Sequence, residues 1–176
     1  MDAGAPRRAR PDPLPRIAGA EDVLAPAVQA RLIPAMQEAI AAARQARAPY
    51  GAILLDAVSG ETVYRARNTR LASGDPTAHA EMNALRGAAL DGIDLTRTVL
   101  VTSAEPCSMC GSAAVLVRVA GIIFGTSIST LIRCGWSLID LPVAEVVARS
   151  FLPGLPVVGG VLAAETDPLY AAGPPV

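Results

Sequence analysis

The chain has no lysine, a single histidine and only three cysteines among its 176 residues. Each shortage excludes a class of chemistry. All 15 basic residues are arginine, whose guanidinium stays protonated, so Schiff-base and lysine-nucleophile mechanisms are out. One histidine cannot furnish a helical H-E-x-x-H zinc-protease site or a three-histidine metal site. Three cysteines are too few and odd in number for a disulfide scaffold, and no apolar run of signal length follows the basic start. A metal site or a catalytic thiol is the better use of them. No stretch approaches 18 uninterrupted apolar residues, so no membrane span is expected, and a cytoplasmic location is. A formal net charge of -1 gives no support to a nucleic-acid-binding face.

What the chain does have is apolar residue, 52% of it, well above disordered compositions. Its length fits one domain at roughly 150 residues per domain. Residues 1–20, with Arg7, Arg8 and Arg10 among four prolines, read as an N-terminal extension, and residues 21–176 as a single domain. A helical stripe of Val28, Leu32, Ile33, Met36 and Ile40 predicts helix over 21–47, divided by Pro34, with Pro26 near the first turn. Residues 51–58 and 61–67 predict a hairpin turning at Ser59 and Gly60. A loop follows over 68–76, then a helix over 77–90 capped by Thr77. Strands are expected over 98–102 and 121–125, a helix over 107–119, another within 141–150 and a last strand within 156–162. Strand–helix–strand steps of this length imply parallel neighbours, hence an α/β fold with helices covering a mixed sheet.

The chemistry is concentrated in two short motifs. His79-Ala80-Glu81 is H-x-E, and Pro106 to Cys110 is P-C-x-x-C. Cys107 and Cys110 can clasp one zinc ion from the first turn of a helix, whose N-terminus favours thiolates. His79 supplies a third ligand, which leaves the fourth position open, as in catalytic rather than structural zinc sites. Glu81, two residues from His79, can face that position without ligating. A lone C-x-x-C is more often structural or redox, and a lone histidine is usually a satisfied core residue. Here both motifs fall at expected helix starts, and the pair matches the signature of zinc deaminases acting on bases. Cys134 is left over and reads as a packed apolar thiol.

With those blocks in place the sequence resembles the cytidine deaminase superfamily, nearest its guanine deaminase and tRNA adenosine deaminase branch. The resemblance rests on P-Y-G-A at 49–52, Asn68, D-P-T-A-H-A-E at 75–81, T-S-A-E-P-C-S-M-C at 102–110 and Arg118, within residues 21–125. It implies a three-layer α/β/α sandwich around a five-stranded mixed sheet, usually dimeric, and hydrolytic loss of an exocyclic amine as ammonia. It assigns His79, Cys107 and Cys110 to one zinc ion per chain, and Glu81 to carrying protons between zinc-bound hydroxide and the leaving amine. Asn68 would hydrogen-bond the base, although it is equally good as a turn residue. The backbone N–H of Ala80 would bind a carbonyl oxygen or a ring nitrogen, with Tyr50 and Gly51 close to the pocket. Trp136 is open to two readings, stacking on the base or filling a seam, and the seam is favoured. Glu105 is expected to fix the turn before Pro106.

Guanine deaminases carry acidic residues ahead of a Gly-Phe step beyond this point. Here Gly135-Trp136 stands in its place, and no carboxylate occurs from Thr126 until Asp140. Asp140 and Glu145 are the candidate replacements. The leading expectation is deamination of a small aminated heterocycle, a nucleobase or nucleoside, guanine-like or cytosine-like, by a homodimer. A tRNA-specific adenosine deaminase is the alternative, disfavoured because only Arg133 and Arg149 are basic after Arg118. A non-catalytic zinc-stabilised domain, its fourth position filled by Cys134, is the third reading.

Overall fold

The computed structural model describes residues 24–175. The expected extension at 1–20 and the start of the first helix lie outside the described residues. The first element, α1, runs over Pro26–Ala43 with proline at its N-terminal turn, where a missing N–H costs nothing. Its buried face is Val28, Ala35, Met36, Ala39, Ile40 and Ala43, spaced at whole helical turns. Pro34 was expected to divide this helix and does not. The carbonyl it deprives belongs to Ala30, which is exposed and can take water. Ala35 and Met36, just beyond it, are fully buried and hold the helix to the sheet. Ile33, read as part of the stripe, is 47% exposed.

Strands β1 (Gly51–Asp56) and β2 (Thr62–Arg67) form the expected hairpin. Its turn begins two residues earlier than 58, because Asp56 Oδ1 accepts the N–H groups of Val58 and Ser59 at 2.9 and 2.8 Å. A four-residue helix, α2 (Arg70–Ser73), interrupts the expected loop. Next comes α3 (Ala80–Leu90), capped at His79 rather than at Thr77. Thr77 is held instead in a turn by Asp75, whose Oδ1 accepts both its N–H and its hydroxyl at 2.7 Å. Then follow β3 (Thr98–Ala104), α4 (Ser108–Leu116) and β4 (Gly121–Thr126). The helix α5 (Ile128–Arg133) was not anticipated. After it lie α6 (Val143–Ala148), the two-residue β5 (Val157–Val158) and α7 (Ala163–Thr166), which runs into a 3-10 turn at Asp167–Leu169.

The sheet order is β2-β1-β3-β4-β5. β1 is antiparallel to both β2 and β3, whereas β3–β4 and β4–β5 are parallel. Strand periodicity of two divides the core. Ile53, Leu55, Val99, Val101 and Ile123 face α1. Ala52, Leu54, Leu100, Ile122 and Phe124 face the other way, against alanines of α3 and α4 and the valines of α6. The result is the expected three-layer α/β/α sandwich on a five-stranded mixed sheet. Each fully buried Leu or Ile in it is worth about 1.5–3 kcal/mol.

Gly51 opens β1 directly under α1. A Cβ there would lie 2.7 Å from Ala43 N and closer still to the Ala39 carbonyl oxygen. Glycine is thus needed for close helix–strand approach. Gly51→Ala is expected to cost about 1–3 kcal/mol of stability by overpacking, read as a lowered urea midpoint with unchanged slope.

Candidate active site

Two helix starts meet beyond the carboxyl end of β3. His79 is the N-cap of α3 and Cys107 the N-cap of α4, both extended in backbone. Residues in that position normally accept a hydrogen bond from their own first turn. Neither does so here; both side chains turn to a common centre. His79 Nδ1 lies 3.7 Å from Cys107 Sγ and 3.6 Å from Cys110 Sγ. Two thiolates and an imidazole around a tetrahedral zinc, with bonds of roughly 2.0–2.3 Å, place N and S about 3.6 Å apart. The three side chains therefore fit zinc, and they form a group able to hold one metal ion. Cys134 is not part of it. It packs beside Leu131, Trp136 and Tyr170 in a separate apolar cluster, so the third reading loses its fourth ligand.

The electrostatics around this centre are those of a buried, shared charge. A hydrogen bond from Cys110, helped by His79, draws the Cys107 thiol down to about 4. The same bond and burial push Cys110 up. The hydrogen bond to Cys107 raises the imidazole of His79. Glu81, in the first turn of α3, is buried. Burial first, then the negative charge of Cys107, lifts its carboxyl to about 7.

A cavity of about 290 Å³ opens over these residues, at the lower end of small-molecule sites. Tyr50, Asn68, Arg70, His79, Glu81, Glu105, Cys107, Leu131, Trp136, Leu138 and Pro174 are among the residues that line it. Of the expected site residues, the structure thus gathers His79, Glu81, Cys107, Tyr50, Asn68 and Trp136 on one wall, with Cys110 behind. Gly51 is not on that wall; its place is under α1. Ala80 is the first residue of α3, where N–H groups have no partner within the helix. Asn68 acts as a turn residue, its Oδ1 accepting the Arg70 N–H at 3.0 Å, and it also lines the cavity. Asp140 is exposed and Glu145 pairs with Arg149 at 3.2 Å on the surface. Neither is on the cavity wall, which overturns them as replacement acids.

Trp136 fills a seam, as favoured, while it also lines the cavity. It stands edge-on to Tyr50, ring centroids 5.1 Å apart at 86°, and edge-on to Tyr170 at 5.9 Å. Its Nε1 donates to the Tyr170 carbonyl at 3.0 Å. Tyr170, fully buried, donates its hydroxyl to Ser103 Oγ at 2.8 Å, and Ser103 accepts the Gly51 N–H at 3.0 Å. Thr126 Oγ1 donates to Asp167 Oδ1 at 2.7 Å. The C-terminal segment is thereby pinned across β3 and β4, behind the aromatic wall. Tyr170 and Arg70 carry no motif signal and were not anticipated.

Glu105 does more than fix a turn. Its Oε2 accepts the N–H of Ile128 and its Oε1 that of Val143, both at 2.8 Å. These are the first residues of α5 and α6, which flank the segment bearing Trp136. Glu105→Gln replaces one acceptor with an amide that cannot accept, leaving a buried N–H unpaired at a cost of about 1–3 kcal/mol. The expected result is retained zinc with red-shifted emission from Trp136, the only tryptophan. Unshifted emission would remove Glu105 from this role.

The sequence model of the cytidine and deoxycytidylate deaminase zinc-binding region matches residues 30–126. A probable cytosine deaminase of Schizosaccharomyces pombe is 30% identical over 143 residues, covering 79% of this chain and 81% of that protein. A tRNA(Ile)-lysidine synthase of Deinococcus radiodurans is 46% identical over 99 residues, 53% of this chain. The chain spans only 17% of that relative's length. A guanine deaminase structure from Nitrosomonas europaea superposes with TM-score 0.66 over 95% of this chain and 97% of that one, at 24% identity, a likeness of fold.

Proposed function

The chain belongs to the cytidine and deoxycytidylate deaminase zinc-binding family, and on that premise we propose that it hydrolyses the exocyclic amine from a small aminated heterocycle, a nucleobase or nucleoside, and releases ammonia. The observation that carries this reading is that three zinc-fitting ligand atoms gather at a cavity lined by two of them, His79 and Cys107, together with the buried Glu81 carboxyl.

His79, Cys107 and Cys110 would hold the metal. Zinc, when bound there, supplies Lewis acidity that brings the pKa of water toward ~7. Glu81 takes one proton from the attacking water and delivers it to the ring nitrogen, then takes the proton of the newly added hydroxyl and delivers it to the amine, which departs as ammonia. Burial raises its carboxyl above the ordinary carboxylate range, which suits a group that both takes and gives a proton. Asn68 and the N–H of Ala80 orient the ring, and Tyr50 and Trp136 wall it. Homodimerisation and a single domain over residues 21–176 belong to the same proposal. Among the described residues no helix is long and apolar enough to cross a membrane.

A panel of guanine, guanosine, cytosine, cytidine and adenine, scored for ammonia, tests the substrate class. Glu81→Ala is expected to abolish turnover while one zinc per chain remains; a fully active variant would end this mechanism. Cys134→Ser is expected to leave the zinc content at one per chain. Ammonia released from tRNA alone would favour the tRNA reading instead.

A further inference from the structure

Away from the cavity, one edge of the sheet is open. Among the described residues no strand lies beyond β2. Asn68 donates its N–H to the Tyr50 carbonyl, and Ala66 and Tyr64 stand opposite Ala52 and Leu54. The alternation of an antiparallel ladder therefore turns the backbone of Arg65 and Arg67 outward. The Arg67 carbonyl accepts from Asn83 Nδ2 at 2.9 Å. The Arg65 N–H and carbonyl and the Arg67 N–H face outward as ladder groups.

A groove of about 250 Å³ lies beside this edge, between Glu38, Ala41, Ala42 and Gln45 of α1 and Arg65 and Arg67 of β2. It shares no lining residue with the cavity at the metal ligands. Both arginines are exposed and both reach toward α1. Arg65 pairs with Glu38 at 2.8 Å, and Arg67 donates to Gln45 at 3.4 Å. Glu38 also pairs with Arg31 at 2.9 Å. One carboxylate thus serves two guanidiniums while Arg67 holds a neutral amide, so the groove keeps an excess of positive charge.

We propose that this groove docks an extended acidic peptide of another protein, which joins the sheet as a sixth strand along β2. Backbone pairing supplies the attachment in such strand addition, and side chains supply the choice. Arg65 and Arg67 stand two residues apart on one face, so the fitting sequence carries a carboxylate at every second position. The residue between them turns to the opposite face, that of Tyr64 and Ala66 on the α3 side of the core, where an apolar side chain fits. Other occupants fit worse. A second copy pairing β2 to β2 sets arginine against arginine across the ladder. The chain's own N-terminal residues have proline at 6, 11, 13 and 15 and arginine at 7, 8 and 10, and proline cannot donate to a ladder. A polynucleotide would meet no aromatic ring among the groove's lining residues on which to stack a base.

The test titrates the full chain into a labelled, end-blocked peptide of about nine alternating glutamates and valines, long enough to span an ordinary strand, and reads anisotropy. Saturable binding that weakens with added salt is expected, with none for an alternating lysine–valine peptide or a single-stranded oligonucleotide. Two further peptides, methylated on the valine or on the glutamate backbone nitrogens, block opposite edges of the strand. One of them should lose binding and the other keep it. Arg67→Gln leaves the Glu38 pairs in place and should weaken binding about threefold, and adding Arg65→Gln about tenfold in all. No saturation up to about 1 mM, equal binding of the lysine peptide, equal effects of the two methylations, or affinity unchanged in Arg67→Gln overturns the proposal. Tighter capture of the oligonucleotide overturns it as well, and assigns the face to nucleic acid.

Discussion

One buried carboxylate joins the two halves of the site. Glu105 sits between the end of β3 and the P-C-x-x-C turn, and its two oxygens take the first N–H groups of α5 and α6. Those helices lie 23 and 38 residues further along the chain. Without an acceptor there, two helix starts would end in an apolar interior with unpaired donors, which proteins avoid. Burial pushes the Glu105 carboxyl upward and the two N–H groups pull it back, so each side of the arrangement offsets the other's cost. The same residue that continues into the metal-binding turn thus fixes the segment that closes over it.

Helix starts recur throughout this region. His79 and Cys107 cap α3 and α4, and Ser127 caps α5 through a 3.2 Å bond from the Thr130 N–H. Positive helix ends stabilise negative charge in the first turn, which is where the two cysteines and Glu81 stand. The small residues of these helices allow the convergence. Gly111 of α4 faces Val143 of α6, and a Cβ there would meet Val143 Cγ2 at 2.9 Å.

The sequence made some parts legible and not others, and the division follows the range of the interactions. H-x-E and P-C-x-x-C are local, and their position at helix starts places the ligands without knowledge of the rest. Sheet faces were legible because period-two burial is local too. The aromatic wall was not. Tyr50, Trp136 and Tyr170 come from three segments and are joined only by contacts such as the Trp136–Tyr170 hydrogen bond, 34 residues apart. Thr77 looked like a helix cap because its residue type favours caps, but the upstream Asp75 captures it first. Pro34 looked like a breaker, but burial of its neighbours outweighs one missing hydrogen bond.

The hydrogen-bond polarity of the cavity constrains what it can hold. Asn68 Oδ1 accepts the Arg70 N–H, which orients the amide and leaves its NH2 end as the donor side. Trp136 Nε1 is spent on the Tyr170 carbonyl, and both Glu105 oxygens are spent on helix N–H groups. The donors left toward the cavity are the Asn68 NH2 and the N–H groups at the start of α3, and the remaining carboxyl of the lining is Glu81, hydrogen-bonded to Cys110. Such a set asks for ring acceptors beside the amine-bearing carbon. Cytosine-like and guanine-like rings both carry such acceptors, so this set of donors does not by itself choose between them.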